Sequence, residues 1–411
     1  MGQSTFPVPS SGSSTSTVLP INASSVILDG SLTSASTYTT TVNGNGGIAY
    51  LTATDNPATI TVGGTAYTVP ANSTVATTAV VGSGVSTTIA AAATIPSTFS
   101  ASTMPSSQSW TSVAYGVISS TNYYVAVATG PTTAGAYSTN GTTWTASTMP
   151  SSSLWESITF GNGIFVAVAL TTVAASSTNG TTWTARTMPS NSNWTSVAYG
   201  VISSTNYYVA VATGPTTAGA YSTNGTTWTA STMPSSSTWQ SVTYGNGKFV
   251  AIAFNQSNAA YSTNGTTWTA STLSTTDYWT SVAYGLIGAT NYYVAVQESG
   301  TSTNNAYSTN GSTWTTGTMP VSGSAFGWNS ITFGNGFFVA APSGSTIGAY
   351  SSNGLTWTAN TFSSSITAFG LTYGNGYYVA VGFSSAIGAY GTPSPILPVN
   401  FGIYNGPTTI N

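Results

Sequence analysis

This chain of 411 residues has seven charged side chains, of which all but Arg186 could do acid–base chemistry, and it has no histidine and no cysteine. General acid–base catalysis uses positioned groups with adjustable pKa values, usually histidine, glutamate, aspartate or lysine. Without histidine, the abundant serines cannot form a Ser-His arrangement. The sequence separation of Asp277 and Glu298 does not exclude a glycosidase site that uses these two carboxylates. The charged residues are Asp29, Asp55, Glu156, Arg186, Lys248, Asp277 and Glu298.

The placement of these residues argues against catalysis, because they are scattered and form no spaced pair. Glu156 directly follows Trp155, where other repeats have threonine, glutamine or asparagine. Lys248 stands beside a hairpin turn where other repeats have an apolar residue. Scattered charges are usually solvated side chains. We therefore predict that the chain is not an enzyme, that no residue is catalytic, and that Glu156 and Lys248 are exposed.

The charge balance also limits the partners and cofactors. Charged residues make up 2% of the chain, with a net charge of −3 and only two basic residues. So few basic groups cannot neutralise a run of phosphates or hold an anionic membrane surface. Without cysteine or histidine, the usual zinc and haem sites cannot form. We predict no nucleic acid, no cofactor and no metal. Membrane insertion and a signal peptide are not expected either, because no long apolar run is present.

Six tryptophans are the candidates for ligand binding. Each opens the first strand of a repeat, beside a connection that borders one face of the predicted ring. Indole rings at such a face can stack on sugar rings, and the alternative is packing between neighbouring repeats. The loops at residues 212–216, 254–257 and 297–301 border the same face and are candidates for specificity. The tryptophans are Trp110, Trp155, Trp194, Trp239, Trp279 and Trp328.

A repeated Ser-x-Asn-Gly-x-Thr-Trp box indicates the secondary structure that positions these residues. Its copies recur at intervals of about 40–45 residues, the period of a four-stranded propeller blade. Between boxes the sequence has short β-branched and aromatic runs with Gly-Asn turns and no helical period. The box asparagine is expected to bond the backbone of its own turn rather than a ligand. These structural-turn residues are Asn140, Asn179, Asn224, Asn264, Asn310 and Asn353.

Seven hairpin units but only six boxes are present, which indicates how the ring closes. The last unit lacks the Thr-Trp-Thr-Ala-Ser strand, and a matching segment with Phe99 in place of tryptophan stands at residues 98–105, before the first unit. We predict an all-β fold: a seven-bladed β-propeller of four-stranded blades, closed by residues 97–103 pairing with the strand at 386–391 in the last blade, and preceded by a small β domain. Such closure removes exposed sheet edges.

The boxes resemble those of the Asp-box (BNR) propellers of sialidases and related proteins, whose box reads Ser-x-Asp-x-Gly-x-x-Trp. Ser138-Thr-Asn140-Gly141-Thr-Thr-Trp144 keeps the serine, glycine and tryptophan, replaces aspartate by asparagine and is one residue shorter. The resemblance covers residues 97–394 and implies a folding element. Sialidase catalysis in that family needs an arginine cluster, whereas this chain has only Arg186. The resemblance therefore implies a non-catalytic propeller.

Four segments are expected: an extended N-terminal tail at 1–20, a small β domain for attachment or oligomerisation at 21–95, the propeller at 97–394 and a C-terminal tail at 395–411. Residues 110–153 and 194–237 are identical, which indicates a recent duplication. This organisation favours a non-enzymatic virion surface protein, a bacteriophage fibre or capsid decoration that adheres to host-surface glycans. Residues 1–95 would contact other virion proteins or a second copy of the chain. The alternative is an extracellular or cell-surface carbohydrate-binding lectin or adhesin outside a virion.

Overall fold

The computed structural model describes residues 98–214, 216–299, 303–321 and 327–391, together with the backbone of nine further strands. The chain divides into two compact units, one of Met1–Ile95 with Pro393–Asn411 and one of Pro96–Thr392. Every regular element among the described residues is a β-strand. No helix of the described part is long and apolar enough to cross a membrane. Asp29 and Asp55 lie outside the described residues.

The first unit begins with eight short strands whose backbone alone is described. A five-stranded sheet has the order β1-β3-β8-β5-β6, and β1 runs parallel to β3 within the stretch expected to be a tail. The strands are β1 (Thr17–Leu19), β2 (Ser25–Leu28), β3 (Thr37–Val42), β4 (Ala49–Ala53), β5 (Ala58–Val62), β6 (Thr65–Val69), β7 (Ser73–Ala76) and β8 (Val85–Ala91).

The second unit is a ring of seven blades, numbered here in chain order, and each blade is an antiparallel sheet of four strands. Blades 1 to 3 contain β9 (Thr98–Ile118), β10 (Thr121–Thr129), β11 (Thr132–Ser138), β12 (Thr145–Ser153), β13 (Trp155–Gly161), β14 (Ile164–Ala169), β15 (Val173–Ser177), β16 (Thr184–Thr187), β17 (Asn193–Ile202), β18 (Thr205–Thr213), β19 (Thr216–Ser222) and β20 (Thr229–Ser237). Blades 4 to 7 contain β21 (Trp239–Gly245), β22 (Lys248–Ala253), β23 (Gln256–Ser262), β24 (Thr269–Asp277), β25 (Trp279–Ile287), β26 (Thr290–Gln297), β27 (Asn304–Ser308), β28 (Thr315–Thr318), β29 (Trp328–Gly334), β30 (Phe337–Pro342), β31 (Ser345–Ser351), β32 (Thr358–Ile366), β33 (Ala368–Gly374), β34 (Tyr377–Gly382) and β35 (Ser385–Gly391).

The long strand β9 closes the ring by belonging to two blades. Its first part pairs with β35 through Ser100↔Tyr390 and Ala101↔Ala389, and its second part pairs with β10 in blade 1. The predicted closure by residues 97–103 is therefore confirmed, as is the all-β propeller fold. Phe99, which replaces the box tryptophan, is fully buried and stacks on Phe362 with ring centroids 4.4 Å apart.

The core lies between neighbouring blades. Most of the second strand of each blade is buried, because it has blades on both sides and strands on both edges. Val125 and Val127 are fully buried examples. They pack against Ile158 and Phe165 of the next blade. Burial of each such side chain contributes about 1.5–3 kcal/mol. The ring is thus held by apolar contacts repeated from blade to blade.

The C-terminal stretch contributes a strand to the first unit. The sequence analysis expected residues 395–411 to form a tail over the surface. Instead, β36 (Phe401–Tyr404) lies between β2 and β4 in a four-stranded sheet of order β2-β36-β4-β7. Aromatic and β-branched residues favour strands, which accounts for pairing by this Phe-Gly-Ile-Tyr segment.

Candidate functional site

A β-bulge interrupts the inner strand of every blade, the first strand of its hairpin unit, directly after the tryptophan of blades 1 to 6 and after Ala368 of blade 7. In blade 2, Trp155 pairs with Ala169 and Ser157 with Val168, so that Glu156 has no partner on the neighbouring strand. Bulges re-aim a side chain and are frequent next to functional sites. The residues at the seven bulge positions are Thr111, Glu156, Thr195, Gln240, Thr280, Asn329 and Phe369.

The bulge residues line a cavity of about 250 Å³, called the central cavity below. Because all seven inner strands contribute to its wall, it lies at the centre of the ring. The wall contains the bulge residues, the Ser-Val or Ser-Ile pairs that follow most of them, and two residues from the ends of second strands, Phe254 and Glu298. Hydroxyl, amide and carboxyl groups thus converge from different blades on one space.

Serines next to the bulges fasten neighbouring inner strands to each other. The Oγ of Ser112 accepts a hydrogen bond from the backbone N–H of Ile158 in the next blade, at 3.2 Å. The same contact joins Ser157 to the N–H of Val197, at 3.1 Å. The contact recurs at Ser196, Ser241 and Ser281. These serines therefore hold the cavity wall together, and their hydroxyls are engaged within the protein.

The bulge residues alternate between two roles. In blades 1, 3 and 5 the bulge residue is threonine, and its hydroxyl donates to the carbonyl of the tryptophan in the next blade, at 2.8 Å in each case. In blades 2, 4 and 6 the position holds Glu156, Gln240 and Asn329, whose side chains are longer. The threonines thus link neighbouring blades by hydrogen bonds. The carboxyl and amide side chains of blades 2, 4 and 6 are the candidates for contact with a ligand.

Glu156 is held at the cavity wall by one hydrogen bond. Its Oε1 accepts from the hydroxyl of Thr129, at 2.6 Å. Burial raises the pKa of the Glu156 carboxyl above its ordinary value, and the hydrogen bond from Thr129 opposes that rise. The expectation that Glu156 is an exposed, solvated charge is therefore wrong, because the bulge turns it toward the centre of the ring.

Asn329 is the least satisfied polar side chain of the cavity wall. It is 4% exposed, and neither its amide nitrogen nor its amide oxygen has a hydrogen-bond partner. A buried polar group without a partner costs about 1–3 kcal/mol. The packed wall retains this cost.

Glu298 brings a second carboxyl to the cavity. It follows the end of β26, and its backbone N–H donates to the carbonyl of Tyr278 at 2.9 Å. Burial raises the pKa of its carboxyl as well. Phe254 follows the end of β22 and also lines the cavity. Two of the three loops singled out for specificity, 254–257 and 297–301, therefore reach this site.

Aromatic rings stand at the same end of the inner strands. Phe369, the bulge residue of blade 7, is 38% exposed and packs against Phe383 with ring centroids 4.8 Å apart. Tyr278 is 46% exposed and lies 5.4 Å from the ring of Phe254. These two pairs give the polar cavity exposed aromatic faces at its edge.

The other end of the inner strands is filled by aromatic rings that lie on glycines. A Cβ atom on Gly161 would stand 2.0 Å from the ring of Tyr199 in the next blade. The same relation places Tyr115 of blade 1 on Gly374 of blade 7, so the set of contacts runs around the whole ring. Only glycine permits this close approach.

The six tryptophans do not form a ligand site, which corrects their predicted stacking role. Each is 0–1% exposed. The indole N–H of Trp110 donates to the carbonyl of Ser106 at 3.2 Å, and the same bond recurs in blades 2 to 5. They pack in the core because the bulge directs the next residue, not the tryptophan, toward the cavity. The corrected residues are Trp110, Trp155, Trp194, Trp239, Trp279 and Trp328.

The box asparagines lie in turns between third and fourth strands, away from the cavity wall. Oδ1 of Asn140 accepts from the backbone N–H groups of Thr142 and Thr143, at 3.0 and 2.9 Å. Ser138 Oγ accepts from the N–H of Gly141 at 2.9 Å. Equivalent bonds to Oδ1 form at Asn179, Asn224, Asn264, Asn310 and Asn353.

The remaining charged side chains in the described part of the chain lie elsewhere. Lys248 Nζ donates to the carbonyl of Asn310 at 2.8 Å and lies 5.2 Å from the ring centroid of Tyr261. The Nε of Arg186 donates to Ser176 Oγ at 2.9 Å. Asp277 is not part of the cavity wall, so the predicted pair of Asp277 and Glu298 does not meet there. The two carboxyls that line the cavity are those of Glu156 and Glu298.

Comparisons with solved structures support the propeller fold. Virginiamycin B lyase from Staphylococcus aureus is 10% identical, with a TM-score of 0.59, over 71% of this chain and 98% of the lyase. YCF48 bound to D1 peptide is 14% identical, with a TM-score of 0.55, over 72% and 94%. The Pan2 WD40 domain of Neurospora crassa is 6% identical, with a TM-score of 0.55, over 72% and 94%. No protein-family model and no curated protein matches the sequence.

The lyase comparison contradicts the prediction that this chain is not an enzyme. A propeller of the same fold carries catalysis in the lyase, of which a variant with one histidine replaced by alanine is described as catalytically inactive. A count of charges along the sequence therefore does not decide whether a propeller of this fold is an enzyme. The prediction treated Glu156 and Glu298 as scattered, although closure of the ring brings both to one cavity.

Proposed function

We propose that this chain is a virion surface protein, a bacteriophage fibre or capsid decoration, that binds host-surface saccharides in the central cavity of its propeller. The observation that carries the binding part of the proposal is the combination found at the bulges. Carboxyl and amide side chains line the cavity, and the exposed rings of Phe369 and Tyr278 stand at its edge.

This combination suits a sugar better than an apolar ligand. A pyranose ring presents hydroxyl groups around its rim and C–H groups on its faces. Amide and carboxyl side chains can bond the hydroxyls, and an aromatic ring can cover a C–H face. The volume of about 250 Å³ is just below the ~300–1,000 Å³ of pockets for drug-sized ligands. The cavity therefore suits one terminal sugar unit rather than a long chain.

The virion part of the proposal rests on the organisation of the chain. A small β unit precedes the propeller, and two blades are identical over residues 110–153 and 194–237, as expected for an exposed surface that changes by duplication. The boxes resemble those of Asp-box propellers, where they act in folding. Residues 1–95 would then contact other virion proteins or further copies of the chain. A lectin or adhesin outside a virion is the alternative with the same binding site.

A glycan array probed with the full chain tests the binding part. We expect binding to a restricted set of terminal sugars, and about a tenfold loss or more in the variant Phe369→Ala, since aromatic contacts often dominate binding. Val117→Ala is the matched control, because Val117 is also exposed (47%) but does not line the cavity. Absence of saccharide binding, or equal binding by both variants, would overturn the proposal. Release of free sugar from the array would instead assign a hydrolytic activity to the cavity.

Mass spectrometry of purified phage particles tests the virion part separately. The chain should copurify with particles at a fixed ratio to the major capsid protein and resist removal by salt washes. Recovery only in the soluble fraction or on cell surfaces would favour the lectin or adhesin outside a virion.

A further inference from the structure

We propose that the central cavity selects saccharides that carry a free ammonium group, with Glu156 and Glu298 as the anionic partners of that group and Asn329 as a hydrogen-bonding partner of the neighbouring hydroxyl. This inference rests on the saccharide binding proposed above and specifies the class of ligand.

The cavity wall has two acidic groups and no basic group. Glu156 and Glu298 are its only ionisable acidic or basic residues, and no lysine or arginine is part of it. The two basic residues of the chain are engaged elsewhere, Lys248 with the carbonyl of Asn310 and Arg186 with Ser176. A charge that is partly removed from water is costly unless it is paired. A cation in the cavity would supply the missing partner.

The desolvation of the two carboxyls also favours a cationic ligand. Burial raises the pKa of both groups, which means that the empty cavity disfavours their charged forms. A ligand ammonium within about 4–6 Å of either carboxyl would favour its charged form and lower its pKa again. Binding of a cation is therefore coupled to proton release from these carboxyls.

The side-chain amide of Asn329, which has no hydrogen-bond partner, is an independent observation that indicates a ligand. The side chain is 4% exposed, lines the cavity and leaves both polar atoms without a partner. Buried polar groups in folded proteins are nearly always hydrogen-bonded. Its amide oxygen can accept from an ammonium or hydroxyl, and its amide nitrogen can donate to a hydroxyl. An amino sugar, which has both groups on adjacent carbons, fits this set of partners.

Calorimetric titration of the full chain with two matched glycosides tests the inference. Methyl 2-amino-2-deoxyglucoside and methyl glucoside differ by an ammonium in place of a hydroxyl. We expect the amino glycoside to bind about tenfold more tightly at neutral pH, as for charge-assisted hydrogen bonds, and the preference to shrink in high salt. In the double variant Glu156→Gln and Glu298→Gln, the two glycosides should bind within about threefold of each other.

Each outcome separates the inference from the proposed function. Equal binding of the two glycosides by the unmodified protein would overturn the ammonium preference and leave saccharide binding in place. Binding of neither glycoside, nor of any sugar on the array, would overturn both. A preference that survives the double variant would show that other groups recognise the ammonium, and would overturn the assigned role of the two glutamates. Thermal melts of every variant confirm that the compared proteins are folded.

Discussion

Thr129 and Glu156 are joined across a blade boundary: the threonine hydroxyl donates to the carboxyl Oε1 at 2.6 Å. Thr129 ends the second strand of blade 1, whereas Glu156 is the bulge residue of blade 2. The bond fixes the orientation of the Glu156 carboxyl, and burial raises the pKa of that carboxyl. One contact thus links the packing of two blades to the electrostatics of the central cavity.

This raised pKa predicts how stability depends on pH. The folded protein keeps the Glu156 proton at pH values where the unfolded chain, with an ordinary value of 4.5, has lost it. The contribution of Glu156 to the free energy of unfolding is therefore greatest below pH 4.5 and falls as pH rises toward the folded pKa. Glu156→Gln should remove this loss and raise the melting temperature at neutral pH, as followed by circular dichroism between pH 4 and 8.

Thr129→Val is the matched variant for this experiment. It removes the hydrogen bond that lowers the pKa of Glu156 and keeps nearly the same shape. The pH range over which stability falls should then extend to higher pH. A melting profile that is unchanged by Glu156→Gln would contradict the placement of this carboxyl in a desolvated wall.

Phe99 should control the closure of the ring. It is fully buried, pairs with and stacks on Phe362 of β32, and directly precedes the residues of β9 that pair with β35. Phe99→Ala should lower the free energy of unfolding by about 3–5 kcal/mol, the usual cost of such a cavity. Amide exchange measured by mass spectrometry should accelerate most in Ser385–Gly391. Phe99→Trp, which installs the residue of the other repeats, should be tolerated better; loss of protection spread evenly over all blades would argue against this closure role.

The box asparagine should be replaceable by aspartate but not by alanine. Asn140→Ala removes the acceptor of two backbone N–H groups, and loss of such a side chain costs about 0.5–2 kcal/mol by analogy with helix caps. Asn140→Asp keeps the acceptor, so its stability should stay within about 0.5 kcal/mol of the parent. Chemical denaturation of the two variants decides the point. Equal destabilisation by both would mean that the amide nitrogen, not the oxygen, stabilises this turn.

The fold could be predicted from the sequence because its signals are local and repeated. The Gly-Asn-Gly turns place Asn162 and Gly163 at positive φ, as type I′ hairpins require. The missing last box and its match around Phe99 specified the closing strand. Both signals depend only on neighbouring residues and on counting repeats.

The site could not be predicted in the same way, because it depends on bulges and on closure. The tryptophans were predicted to bind a ligand because they open the first strands beside one face of the ring. The bulge, which the sequence pattern does not show, turns Glu156 rather than Trp155 toward the cavity. The convergence of Glu156 and Glu298 becomes visible only when the ring is closed. One signal was available: the residue after each tryptophan varies among blades, whereas the next is serine in six of the seven.

Asn329 should lower the stability of the fold and strengthen the binding of the ligand. Its amide is buried without a partner in the cavity wall, so Asn329→Leu removes an unsatisfied group and should raise the free energy of unfolding by about 1–3 kcal/mol. The same change should weaken binding of the amino glycoside in calorimetric titration by about tenfold, because a ligand hydroxyl loses its partner. Asn305→Leu is the control: Asn305 is also buried, but its amide donates to the carbonyl of Gly354 at 2.9 Å. That variant should lose stability without a specific effect on binding. If Asn329→Leu instead destabilises the fold and leaves affinity unchanged, the amide has a structural role and the cavity binds through other groups.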